Sequence, residues 1–147
     1  MKPVNEASVN FWSRSANEGF ARTAAACFAA QLDPTLEEIS DIKTAVSEAV
    51  TNCIVHAYPQ ELGIVSMRLR LYEENLFEVV IRDRGVGIPD IEQARTPLFT
   101  TGDEARSGMG FTIMESFMDG IKVRSVVGKG TTVTLRKKIS PRFGGVM

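Results

Sequence analysis

The sequence predicts a two-layer α/β sandwich, with helices covering one face of a sheet. Three observations carry this expectation. Two consecutive runs alternate apolar and polar residues around a Glu73-Glu74-Asn75 turn, which gives a sheet one dry and one wet face. Two earlier runs step their apolar residues by threes and fours, the pattern of helices with a face to bury. The 147 residues, 44% of them apolar, suffice for one core and one domain.

The elements follow in order. A first strand fits Ser8–Ser13, where Val9 and Phe11 alternate with Asn10 and Trp12. Asn17 is placed to cap a helix running to about Gln31, with Phe20, Ala24, Cys27, Phe28 and Leu32 as its apolar stripe. Thr35 and Glu38 form a capping-box pattern at the head of a longer helix. Its face is Ile39, Ile42, Val46, Ala49, Val50, Cys53 and Ile54, and Pro59 ends it. Val65, Met67, Leu69 and Leu71 mark the next strand, and Phe77, Val79 and Ile81 the one after. Residues 84–107 hold Gly85, Gly87, Pro89, Pro97 and Gly102, with one helical turn at Ile91–Ala94, and a span of this kind points to function or disorder. A helix over Gly108–Phe117 and strands over Ile121–Val126 and Thr131–Arg136 complete a domain of residues 1–138. Residues 139–147 read as a disordered tail.

Composition narrows the function. Lys+Arg 17 against Asp+Glu 18 gives a net charge of −1 with no long basic run, which disfavours nucleic acid. Apolar stretches fall far short of the roughly 20 residues that cross a bilayer, so no membrane role is expected. MKPVNEASVN lacks an apolar signal core, consistent with a cytoplasmic protein. Cys27 and Cys53 show no metal-ligand spacing and read as small core residues.

Four clusters carry possible chemistry. Glu48, Asn52 and His56 drift by only about 40° per step and form one polar line on the long helix. That line fits a solvated flank, or a carboxylate base beside an amide oxygen that faces a metal; His56 needs only a packing or hydrogen-bonding role. Asp83-Arg84-Gly85-Val86-Gly87 leaves a strand end, either as a plain turn or as a mouth where a ligand meets the backbone. Ser107-Gly108-Met109-Gly110-Phe111 opens a helix, where bare amides suit a phosphate. Gly128-Lys129-Gly130-Thr131 serves at least as a hairpin turn. Neither glycine pair extends to GxGxxG, and no GxxxxGK[ST] occurs, which excludes Rossmann and Walker sites.

In this order and spacing the four clusters resemble the GHKL superfamily of ATP sites. The stretches AVSEAVTNCIVHAY, RDRGVGIPDIEQARTPLFTT and RSGMGFTIMESFMD, with an early FAR…FAAQLDPT, are similar to the anti-sigma F factors within it. The resemblance implies the GHKL/Bergerat fold: an α/β two-layer sandwich whose sheet is mixed, largely antiparallel, with helices on one face. It implies a serine kinase that binds ATP and Mg²⁺, sequesters a sporulation sigma factor (sigma-F) and phosphorylates an anti-anti-sigma protein of STAS type, working as a homodimer in the cytoplasm of a spore-forming bacterium. A non-catalytic ATP-dependent binding module, the related stress-response anti-sigma kinase and a histidine-kinase fragment are the alternatives.

Carried over by position, Glu48 is the catalytic base and Asn52 the Mg²⁺ ligand. Asp83 accepts from adenine's exocyclic amine, and Gly85 and Gly87 let the chain pass close to the nucleotide. Gly108 and Gly110, with the amides of Met109 and Phe111, cradle phosphates. Thr131 helps at the base through water. Thr100, Thr101 and Arg106 belong to a lid over roughly Ile91–Ser107, in which Gly102-Asp103-Glu104-Ala105 departs from the family's usual lysine and proline. Arg22, in the FAR motif, binds the partner protein, and Phe11 or Trp12 are candidates for the dimer interface or, equally, for the monomer core.

Overall fold

The computed structural model describes residues 1–95 and 110–141. Its elements are β1 (Asn5–Trp12), α1 (Ala16–Ala29), α2 (Leu36–Asn52), β2 (Ile64–Tyr72), β3 (Leu76–Asp83), α3 (Ile91–Ala94), α4 (Gly110–Phe117), β4 (Gly120–Val126) and β5 (Gly130–Lys138). A 3-10 turn, Ala30–Leu32, follows α1, and a π-helical segment, Cys53–Ala57, continues α2.

The strands form one sheet in the order β1-β2-β3-β5-β4. All four pairings are antiparallel, so the expected mixed, largely antiparallel sheet holds no parallel pair among the described residues. The cause is the return of β5 beside β3, which leaves β4 at the edge. Consecutive left-handed residues Glu74 and Asn75 (φ 65° and 61°) make the β2–β3 turn, a geometry that matches the twist of paired strands.

The dry face is continuous. Val65, Met67, Leu69, Phe77, Val79, Ile81 and Leu135 are buried beneath Ile42, Val46 and Val50 of α2 and Met114 of α4. Helix α1 packs chiefly on α2 through Ala21, Ala25 and Ala29. That seam corrects the expected stripe. Side chains of one carbon let the two helices approach closely, while Ala24, Phe28 and Leu32 only flank the seam. Phe20 stays 52% exposed, and Cys27 is exposed rather than in the core; Cys53 is buried as expected.

Both bonds of the capping box form: the Glu38 amide donates to Thr35 Oγ1 (3.1 Å) and the Thr35 amide to Glu38 Oε1 (2.8 Å). Asn17 does not cap α1. Ser15 holds the cap position without a side-chain bond, and the Asn17 side-chain Nδ2 donates instead to the Trp12 carbonyl (2.9 Å).

The ordered chain passes the expected boundary at residue 138. Ile139 is fully buried and its amide donates to the Asn75 carbonyl (2.8 Å). The Ser140 amide and hydroxyl both donate to Glu38 Oε2 (2.9 Å each). The alternation of β5 carries Ile139 onto the dry face, which is why the tail reading fails there; residues 142–147 lie outside the described residues. On the opposite face Glu78 is buried rather than wet. It accepts from Arg136 Nε (2.7 Å) and the Tyr72 hydroxyl (3.1 Å) and pairs with Arg70 (3.4 Å).

Candidate functional site

Helix α2 meets α4 at the first residue of α4. Glu48 and Asn52 lie one turn apart on α2, and both are half-buried. A Cβ built on Gly110 would sit 3.3 Å from Asn52 Oδ1, 3.4 Å from its Nδ2 and 3.5 Å from Glu48 Oε1. The hydrogen in place of a side chain therefore leaves a small cradle facing a carboxylate and an amide. The Phe111 side chain is buried in the core, which leaves only its backbone amide to face a ligand.

Directly after Asn52 the helix widens. The Tyr58 amide donates to the Cys53 carbonyl (3.3 Å), an i to i+5 bond. Asn52 thus faces α4, while Cys53 faces the end of β3. The Cys53 thiol donates to Asp83 Oδ2 at 3.5 Å. Burial first, and the neighbouring Asp83 carboxylate second, push this thiol well above its ordinary 9.0, so it remains a donor at neutral pH.

Asp83 organises the second half of the site. It is 6% exposed, and its Oδ1 accepts from the amides of Gly85 (2.9 Å) and Thr131 (3.1 Å). Close packing holds the loop in place. A Cβ on Gly85 would lie 2.2 Å from the Ala57 carbonyl oxygen, and one on Gly130 2.2 Å from that of Asp83. Gly87 (φ +80°) passes against the Val126 carbonyl, and the Val86 amide donates to the Ala57 carbonyl (3.0 Å). The Thr131 hydroxyl shares a 2.7 Å hydrogen bond with Ser125 Oγ, which also accepts from the Ile88 amide (2.7 Å).

Arg22 lies on α1, where it pairs with Glu18 (2.9 Å), and Glu18 also accepts from the Ser47 hydroxyl. Arg22, Lys43, Ser47 and Glu48 line one open cleft of about 530 Å³ whose outer rim includes the exposed Leu36. The structure therefore brings together Glu48, Asn52 and Gly110, and separately Asp83, Gly85, Gly87 and Thr131, with residues 52 and 53 as the join. Thr100, Thr101, Arg106, Gly108 and Met109 lie outside the described residues.

Cys53 and Ser125 are site residues that sequence reasoning missed. A signal for Ser125 exists. The inward positions of β4 read Ile121, Val123, Ser125, and those of β3 read Phe77, Val79, Ile81, Asp83. Dry positions turn polar at the same end of the sheet, beside the glycine-rich loop that leaves β3.

Residues 11–137 match the model of a family described as the histidine kinase-like ATPase domain. The chain is 57% identical over 138 residues to the anti-sigma F factor of Geobacillus kaustophilus, covering 92% of this chain and 94% of that one. It is 54% identical over 140 residues to the anti-sigma F factor of a Thermoanaerobacter species, covering 95% and 97%. A solved structure of the RsbU and RsbW domains of a Mycobacterium tuberculosis protein shares the fold, with a TM-score of 0.66 at 19% identity over 93% of this chain and 32% of that one.

Proposed function

Since the chain belongs to the anti-sigma F factors, among the histidine kinase-like ATPase domains, we propose that it is an ATP-dependent serine kinase that also sequesters a sigma factor. The observation that carries the kinase reading is the meeting of Glu48, Asn52 and the bare Gly110 at one helix start. An acid, a hard oxygen donor and free backbone amides are the parts that phosphoryl transfer to a hydroxyl requires.

Asp83 Oδ2, which among the described residues holds only the weak thiol bond, accepts from the exocyclic amine of adenine. Guanine presents a carbonyl there and is rejected. Thr131 supports the base through a bridging water. The amides of Gly110 and Phe111 face the phosphates at the positive end of α4, and the resemblance adds Gly108 and Met109, which lie outside the described residues. The resemblance assigns further phosphate contacts to Thr100, Thr101 and Arg106, which lie outside the described residues. Asn52 Oδ1, beside the Glu48 carboxylate, fits the oxygen preference of Mg²⁺. When bound, that cation supplies neutralisation of phosphate charge.

The acceptor serine approaches Glu48 along the cleft that Arg22 and Lys43 border. Glu48 takes the hydroxyl proton, the serine oxygen bonds to the terminal phosphorus, and ADP departs. The acceptor is an anti-anti-sigma protein of STAS type. Once phosphorylated it no longer competes, and sigma-F stays captured through the surface around Arg22. A homodimer that places the exposed Trp12 (56%) of edge strand β1 and Phe20 (52%) at its interface completes the switch. Among the described residues no helix is long and apolar enough to cross a membrane, and we place the protein in the cytoplasm of a spore-forming cell.

The test is Glu48→Gln. Transfer of labelled phosphate to an acid-stable phosphoserine should fall by about 10²- to 10⁴-fold while ATP still binds. Transfer at the wild-type rate refutes the base, and wild-type protein that binds ATP without any transfer is a binding module.

A further inference from the structure

We propose that Tyr58 is a positioning residue for the nucleotide pocket, acting as a wedge between β2 and β3. The last pair of that ladder is Val65↔Asp83, so Ile64 and Arg84 would form the next one. The Tyr58 hydroxyl stands in place of that rung. It accepts from the Arg84 amide (2.7 Å) and donates to the Ile64 carbonyl (2.9 Å). The phenol oxygen satisfies both backbones while holding them apart. The strands consequently part immediately after Asp83, and residues 84–87 peel off as the glycine-rich mouth.

The ring is braced from below. A Cβ on Gly63 would lie 2.2 Å from the Tyr58 ring, so the ring rests directly on that glycine. Gly63 is itself fastened on both sides: its amide donates to Ser13 Oγ (3.0 Å) and its carbonyl accepts from the Ser13 amide (2.9 Å). At its other end Tyr58 closes the π segment that presents Cys53 to Asp83. One side chain thus ties the Asn52 helix, the start of β2 and the strand end that bears Asp83. Without the phenol oxygen, Arg84 is free to shift toward Ile64, and the bond from the Gly85 amide to Asp83 Oδ1 loosens.

This inference rests on the reading of Asp83 as the adenine contact, and the experiment separates the two. Tyr58→Phe and Gly63→Ala, the second displacing the ring while keeping its hydroxyl, are compared with wild type by amide hydrogen exchange and by titration with ATP and GTP. Both variants should speed exchange at residues 84–86 in the nucleotide-free protein. Both should also weaken ATP binding by about fivefold, the worth of one net hydrogen bond, narrow the preference for ATP over GTP and leave kcat at saturating ATP unchanged. Unchanged exchange at residues 84–86 overturns the wedge whether or not nucleotide binds. Faster exchange with unchanged ATP affinity overturns its role in the pocket. Wild-type protein that binds no ATP refutes the reading of Asp83, and exchange alone then decides whether Tyr58 holds the strands apart.

Discussion

The two halves of the pocket are built on opposite terms. Around Asp83 the polar groups are already engaged with one another: two backbone amides and a thiol converge on one carboxylate, and Ser125 ties Thr131 to Ile88. Around Glu48 and Asn52, neither side chain has a hydrogen-bond partner among the described residues, and both are half-exposed. The first half is a finished template and pays its ordering cost during folding. The second is left open for groups that arrive from outside. Reading a base demands fixed geometry, whereas transferring a phosphoryl group demands space for a cation and an incoming hydroxyl.

That contrast is open to direct attack. Asp83→Ala should have the largest effect, because it strands the amides of Gly85 and Thr131 in a buried setting at about 1–3 kcal/mol each. ATP affinity should fall by about two orders of magnitude and Tm should drop with it. A calorimetric Kd within about tenfold of wild type would mean that the template does not read the base.

Gly110→Ala probes the open half, and its two readouts should move in opposite directions. The new Cβ crowds Asn52 Oδ1 at 3.3 Å, so phosphoryl transfer should slow by about tenfold. Tm should hold or rise, because alanine favours a helix over glycine by up to about 1 kcal/mol. Unaltered kinetics would show that the cradle is not used.

The pattern of the sequence exposed most of this architecture. Period-two runs revealed β2 and β3, and Thr35 with Glu38 announced the head of α2. The α1 seam was illegible because alanine carries little apolar signal of its own, so Phe20 and Cys27 drew the stripe away from Ala21, Ala25 and Ala29. The π segment was hidden for a different reason. Cys53 and Ile54 prolong the apolar face of α2, and side-chain spacing does not record which carbonyl an amide chooses. Ile139 was legible in principle, since it continues the alternation of Val133, Leu135 and Lys137. Glu48, Asn52, Asp83 and Thr131 were marked by spacing and resemblance, and their joining through Cys53 required the fold.

The smallest effect concerns Glu38, outside the pocket. Burial tends to raise its carboxyl, but the bonds from the backbone of Thr35 and Ser140 and from their hydroxyls outweigh it and hold the group below its ordinary 4.5. A depressed carboxylate stabilises the fold fully above its unfolded value and loses that contribution as pH falls through the folded one. The Tm difference between wild type and Glu38→Gln should therefore be greatest near neutrality and close on acidification from about pH 6 to about pH 3. A gap independent of pH would show that the charge on Glu38 contributes nothing.

The widened turn at Cys53–Ala57 also makes the chain's length critical at one place. Deleting a single residue there would restore the regular ladder and remove the i to i+5 bond from the Tyr58 amide to the Cys53 carbonyl. It would also take one residue out of the span that carries Asn52 to Gly110, Cys53 to Asp83 and the Tyr58 hydroxyl to Ile64. Chain length between residues 48 and 58 is accordingly as strict a requirement as the identity of any side chain within it.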